Sequence, residues 1–77
     1  MMLEVQIIIK NEFGEFLGEK VILEEDRLSK IIEASKSFYK SNGFELHCED
    51  GSFVVFPSDI IRKSILKIVS KKIKEDV

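Results

Sequence analysis

The amino-acid sequence predicts an α+β domain: an antiparallel sheet in the order β-β-α-β-β, one helix packed on a face, and a C-terminal helix. Three observations lead there. Leu3, Val5, Ile7 and Ile9 alternate with Glu4, Gln6, Ile8 and Lys10, the period-two pattern of a strand with one buried face. Leu28, Ile31, Ile32, Ser35, Phe38 and Tyr39 recur at helical spacing. Asp50-Gly51, a dipeptide that accepts the positive φ angles of a tight hairpin turn, separates two β-rich runs.

In chain order, the first strand ends at Asn11-Glu12-Phe13-Gly14, which has turn chemistry, and Phe16 to Leu23 then resumes as a second, antiparallel strand. Gly18 inside that run marks a bulge or a close backbone approach. Glu24-Glu25-Asp26 places acids where the positive end of a helix dipole lies. The helix that follows is expected to run to Asn42-Gly43, where either residue could adopt the left-handed conformation that stops helices. Its apolar stripe reads as core, and Lys30, Glu33, Lys36, Ser37 and Lys40 form its solvated face.

Phe44 to Phe56 reads as a hairpin closed by a two-residue type I′ turn at Asp50-Gly51. That turn pairs Cys48 with Phe53, His47 with Val54, Leu46 with Val55 and Glu45 with Phe56. Phe44, Leu46, Cys48, Phe53 and Val55 then share a core face, and Glu45, His47, Glu49, Val54 and Phe56 share the other. Pro57-Ser58-Asp59 starts a helix, with Ser58 as its cap. Ile61, Ile65, Ile68, Val69 and Ile73 fit a helix to about Lys72. The alternative is a short helical turn followed by a fifth strand over Ile65 to Val69, where β-branched residues are dense.

Seventy-seven residues make a single domain, residues 1–77, with 44% hydrophobic and 34% charged side chains, an ordered globular composition. A chain this short buries a small fraction of its surface, so self-association is a natural way to bury more. Residues 1–57 hold 6 Lys and Arg against 11 Asp and Glu, a charge of -5. Residues 58–77 hold 6 against 3, a charge of +3, which together give the net -2. The acidic body disfavours general adhesion to nucleic acid or anionic membrane. No apolar run approaches the roughly 20 residues of a membrane span. With no secretory leader pattern and a lone cysteine, the expected location is cytoplasmic.

Candidate chemistry is sparse. His47 and Cys48 are neighbours on a strand, so they point to opposite faces and cannot form a nucleophile–base pair. Cys48 is expected in the core as a small inert hydrophobe. Glu45, His47 and Glu49 share a face, but a zinc site takes three or four ligands and no second His or Cys exists in the chain. The glycines are scattered singly and form no phosphate-cradling loop. No catalytic set, metal site, cofactor site or small-molecule substrate is expected, so the chain reads as non-enzymatic.

Two surfaces remain as candidates for partners. If the first strand and the predicted hairpin face supply the core, Ile8, Val54 and Phe56 are left uncovered on the second face, flanked by His47 and Arg62, and point to a protein partner or a homodimer contact. Alternatively, on a C-terminal helix Arg62, Lys63, Lys67 and Lys71, joined by Lys74, lie away from the centre of the apolar stripe and could meet nucleic-acid phosphates. Few aromatic residues stand near them to stack on bases.

Residue usage favours Lys over Arg and Ile over Ala, as AT-rich coding DNA does. In size, in element order and in the stretch GFELHCEDGSFVVFPSDIIRKSILKI, with its Gly-Phe-Glu-Leu start and Phe-Pro-Ser-Asp exit, the chain resembles small uncharacterised phage or prophage-type proteins of AT-rich Gram-positive bacteria. The resemblance implies a short accessory or regulatory product acting through protein contacts, and it carries no residue roles.

Overall fold

The computed structural model describes residues 1–73. Five strands and two helices follow one another as β1 (Met2–Asn11), β2 (Gly14–Glu24), α1 (Leu28–Ser35), β3 (Gly43–His47), β4 (Phe53–Pro57), α2 (Ser58–Arg62) and β5 (Ile65–Lys72). Short 3₁₀ turns, Glu25–Arg27 and Phe38–Lys40, lead into α1 and follow it. The sheets are antiparallel throughout, one of three strands in the order β2-β1-β5 and one of two, β3-β4. The α+β class and the antiparallel pairing agree with the sequence pattern.

The C-terminal segment takes the second of its two expected forms. α2 is a single short turn, and β5 then pairs with β1 from Leu3↔Lys72 to Lys10↔Ile65. The helix expected to reach about Lys72 does not form. Ile7-Ile8-Ile9 is apolar on both faces, as a central strand should be, and β5 supplies the second neighbour that makes β1 central. Ser64, buried between α2 and β5, donates to the Ile60 carbonyl at 2.7 Å and accepts from Asn11 Nδ2 at 3.1 Å. This ties the chain reversal to the β1–β2 turn. The cap of α2 is Pro57, not Ser58, and no side chain bonds the helix start.

The β1–β2 ladder shifts register between Gln6↔Lys20 and Ile8↔Leu17, so Gly18 and Glu19 both stand opposite Ile7. This is the bulge that Gly18 predicted. Gly18 also bridges Cys48, and the Glu49 N–H donates to the Leu17 carbonyl at 3.1 Å, so the β3–β4 hairpin joins the larger sheet at this bulge. A β-carbon at Gly18 would stand 2.7 Å from the Ile7 carbonyl oxygen.

The hairpin register differs from the expected one by a residue. His47 pairs with Phe53, Leu46 with Val54, Glu45 with Val55 and Phe44 with Phe56. The loop has three residues, Glu49-Asp50-Gly51, inside the Cys48 N–H to Ser52 carbonyl bond of 2.8 Å. A type I′ turn would require positive φ at Asp50, and Asp50 does not adopt it; in this loop Gly51, at φ 88°, takes the left-handed position alone. A one-residue slip turns every side chain of the second strand over. Val54 and Phe56 therefore face inward, whereas Phe53 and Val55, expected in the core, are 63% and 70% exposed.

The core lies between the inner face of β1-β2-β5 and the hairpin. Ile9, Phe38, Leu46, Cys48, Phe56 and Ile61 are buried together, with Ile7, Phe16, Phe44, Val54 and Leu66 packed around them. Phe16 meets the edge of Phe56 at 5.2 Å between ring centres. Phe13 stays exposed at the turn. Helix α1 contributes less than expected: none of its residues is buried, Leu28 and Ile31 are half-buried, and Ile32 is exposed. It also ends early. The Ser35 and Ser37 hydroxyls donate to carbonyls three residues back, at 2.6 and 2.8 Å, and the backbone tightens to 3₁₀ spacing. Asn42 and Gly43 have no left-handed conformation, and Gly43 opens β3.

Candidate functional site

The predicted contact residues do not form one surface. Val54 and Phe56 are inside, Phe56 being 2% exposed, so the uncovered face once assigned to them is covered by the larger sheet. Ile8 lies on the opposite, outer face of that sheet. His47 is on the solvent side of the hairpin, and Arg62 ends α2.

On the hairpin's solvent side, the ring of His47 meets the edge of Phe53 at 4.6 Å, and its Nε2 is 3.9 Å from Glu45 Oε1, both side chains being more than half exposed. Glu49 has left this face for the turn, where Oε2 accepts from Gln6 Nε2 at 3.1 Å; the same Nε2 donates to the Gly18 carbonyl at 2.8 Å. Among the described residues no three His, Cys, Asp or Glu side chains gather as metal ligands do. Cys48 is buried, as expected, against Gly18 and not against Phe53. Asp50 Oδ1 accepts from both Oγ and N–H of Ser52, at 2.5 and 2.9 Å, and these bonds hold its carboxyl below the ordinary carboxylate value.

The outer face of β1-β2-β5 is a feature the sequence pattern left unassigned. By the register, Ile8 at its centre stands between Leu17 of β2 and Lys67 of β5, with Ile65 and Val69 diagonal to it on β5, while Ile22 lies further along β2 opposite Glu4. Ile22, Ile65 and Val69 are 51%, 65% and 38% exposed, and no described element covers them. Charges are interspersed with these side chains: Glu15, Lys20 and Glu24 on β2, Glu4 and Lys10 on β1, and Lys67 and Lys71 on β5, with Lys20 Nζ 4.0 Å from Glu4 Oε1. The signal was present in the sequence, in Ile8, Ile22, Ile65 and Val69, but it becomes a surface only once β5 is a strand.

The basic residues are all exposed, but strand geometry spreads them. Lys67 and Lys71 lie on the outer face about 13 Å apart along β5, at roughly 3.3 Å per residue. Arg62 and Lys63 sit at the end of α2. None of the four has an acidic partner among the described residues, and Lys74 lies outside them. On the inner side, two apolar clefts of about 280 and 270 Å³ flank Ile31 of α1 and meet over Ile7 and Phe44. No described helix is long and apolar enough to cross a membrane.

Comparison with known proteins finds no matching family model, no matching curated protein and no matching solved structure.

Proposed function

We propose that the chain is a non-enzymatic interaction protein, of accessory or regulatory type, that self-associates through the outer face of β1-β2-β5. The observation that carries this reading is the exposure of Ile22, Ile65 and Val69 around half-buried Ile8 and Leu17 on one face of a chain of 77 residues. For a chain this short, a second copy is the most direct way to bury more apolar surface. A two-fold rotation about an axis along the strands lays β2 of one copy over β5 of the other and sets Ile8 against its own counterpart at the centre. Two sheets stacked this way keep the usual spacing of roughly 10 Å and leave the sheet edges open.

Sedimentation equilibrium tests it. At about 100 μM, a concentration that populates a dimer of micromolar affinity, the chain is expected at twice its 8.9 kDa mass. Ile65→Asp is expected at the single mass with an unchanged circular dichroism spectrum. A monomer for the unmodified chain at that concentration overturns the reading.

A further inference from the structure

The open edge of β5 carries a second kind of contact. The Ile73 N–H donates to the Met2 carbonyl at 3.2 Å, which makes Met2↔Ile73 a bonded pair of the β1–β5 ladder. In an antiparallel ladder bonded pairs recur every second residue, so Lys71, Val69 and Lys67 also turn their backbone groups toward β1. Ile68, Ser70 and Lys72 turn theirs away. Leu66, next in that series, confirms the direction: its N–H reaches outward to Tyr39 Oη at 3.4 Å. From Ile68 to Lys72 the outward N–H and C=O groups have no partner among the described residues.

The side chains along this edge alternate in character. Lys67 and Lys71 stand on the outer face without acidic partners, while Leu66 and Ile68 stand on the inner face, on the side of the 280 Å³ apolar cleft lined by Ile7, Ile31, Phe38, Phe44 and Leu66. A strand added beside β5 meets Lys67, Val69 and Lys71 on one face and Leu66, Ile68, Ser70 and Lys72 on the other. A second copy suits the edge less well than an acidic segment, because β5 holds three lysines and no acidic side chain to answer them.

We infer that the β5 edge, Ile68 to Lys72, binds an extended segment of another protein by strand addition, the segment placing acidic side chains beside Lys67 and Lys71 and apolar side chains beside Leu66 and Ile68. This rests on the interaction reading and names its partner chemistry, while using an edge that face-to-face self-association leaves free.

The probe is an eight-residue peptide of alternating Glu and Val, blocked at both ends, added to the full chain. Amide resonances of Ile68, Ser70 and Lys72 are expected to shift and to gain exchange protection, and those of Lys67, Val69 and Lys71 to change less. N-methylation of alternate peptide nitrogens along the edge that pairs is expected to weaken binding at least tenfold, and methylation along the other edge to leave it unchanged. Ser70→Pro removes one outward N–H without touching the β1 ladder and is expected to weaken binding to a similar degree; Lys71→Glu should weaken this peptide and favour one of alternating Lys and Val.

Binding that ignores N-methylation on both edges is charge attraction alone and overturns the inference. Tighter binding of oligo-dT than of the peptide makes the surface a phosphate site and also overturns it. No binding at about 1 mM peptide, a limit near −4 kcal/mol, does the same. Mass measured on the same samples separates the two proposals: a dimer that ignores the peptide keeps the self-association and removes the edge, and a peptide-binding monomer does the reverse.

Discussion

Truncating two phenylalanines three residues apart, Phe53→Ala and Phe56→Ala, tests the assignment of faces in the hairpin. Phe56 is 2% exposed, sits in the central cluster with Ile9, Leu46 and Ile61, and holds the edge contact with Phe16. Emptying such a site removes the transfer free energy of the ring and leaves a cavity, a cost of about 3–5 kcal/mol. A 77-residue chain is held by about 4–12 kcal/mol in all, at roughly 0.05–0.15 per residue, so this one change removes about a quarter of the stability or more. Phe53 is 63% exposed and touches chiefly the His47 ring, a contact worth about 0.5–1 kcal/mol. Urea denaturation followed by circular dichroism gives both values, and near-equal m-values would license the comparison. The type I′ register places Phe53 in the core and Phe56 outside, so it requires the opposite order. A Phe53→Ala cost equal to or above that of Phe56→Ala would refute the observed register.

Gly18→Ala is expected to cost about 1–3 kcal/mol, because the new methyl meets the Ile7 carbonyl oxygen at 2.7 Å and Leu46 Cδ1 at 3.1 Å at the junction of the two sheets. A change below about 0.5 kcal/mol in the urea midpoint analysis would show that the bulge yields to the methyl. Asp50 gives a pH dependence with a defined sign. Its folded carboxyl is held below the ordinary value, by the Ser52 hydroxyl first and the Ser52 N–H second, so the ionised turn stabilises the fold above the unfolded value of 3.8, and that contribution is lost as pH falls through the lower folded value. Urea midpoints taken from about pH 6 down to about pH 2 should fall more steeply for the unmodified chain than for Asp50→Ala, and superimposed curves would remove the Ser52 bonds as a source of stability.

The class, β1, β2, the Gly18 bulge and the burial of Cys48 could be read from residue pattern because each is a local property: alternation, a missing side chain, a small apolar residue on a core face. What could not be read depends on choices between near-equal local solutions. Asp50-Gly51 suits a two-residue turn, yet the same Gly51 closes a three-residue loop in which Asp50 keeps negative φ and binds Ser52. That choice exchanged Phe53 and Val55 for Val54 and Phe56 in the core, and with them the candidate contact surface. Helix α1 was over-extended for a similar reason. Serine hydroxyls at positions 35 and 37 compete for the carbonyls that would have continued it, while the apolar spacing through Tyr39 is retained by a 3₁₀ turn.

The form taken by residues 65–72 changes the meaning of the basic tail. On a helix, Arg62, Lys63, Lys67 and Lys71 would lie away from the centre of the apolar stripe, where closely spaced cations suit a polyanion. On a strand, Lys67 and Lys71 are separated by two pleats, with Val69 between them on the same face and backbone groups open beside them. Phosphate binding draws on charge density, whereas strand addition draws on backbone bonds and needs charge only to choose a partner. Diluting the charge and opening an edge act in the same direction. The two modes also differ in a measurable way: a phosphate site loses affinity steeply as salt rises, in proportion to the number of phosphates contacted, whereas a bonded strand retains the part of its affinity that comes from backbone pairing and from Leu66 and Ile68. If affinity of the alternating Glu-Val peptide fell with salt as steeply as that of oligo-dT, the backbone edge would contribute nothing and the lysines alone would account for the contact.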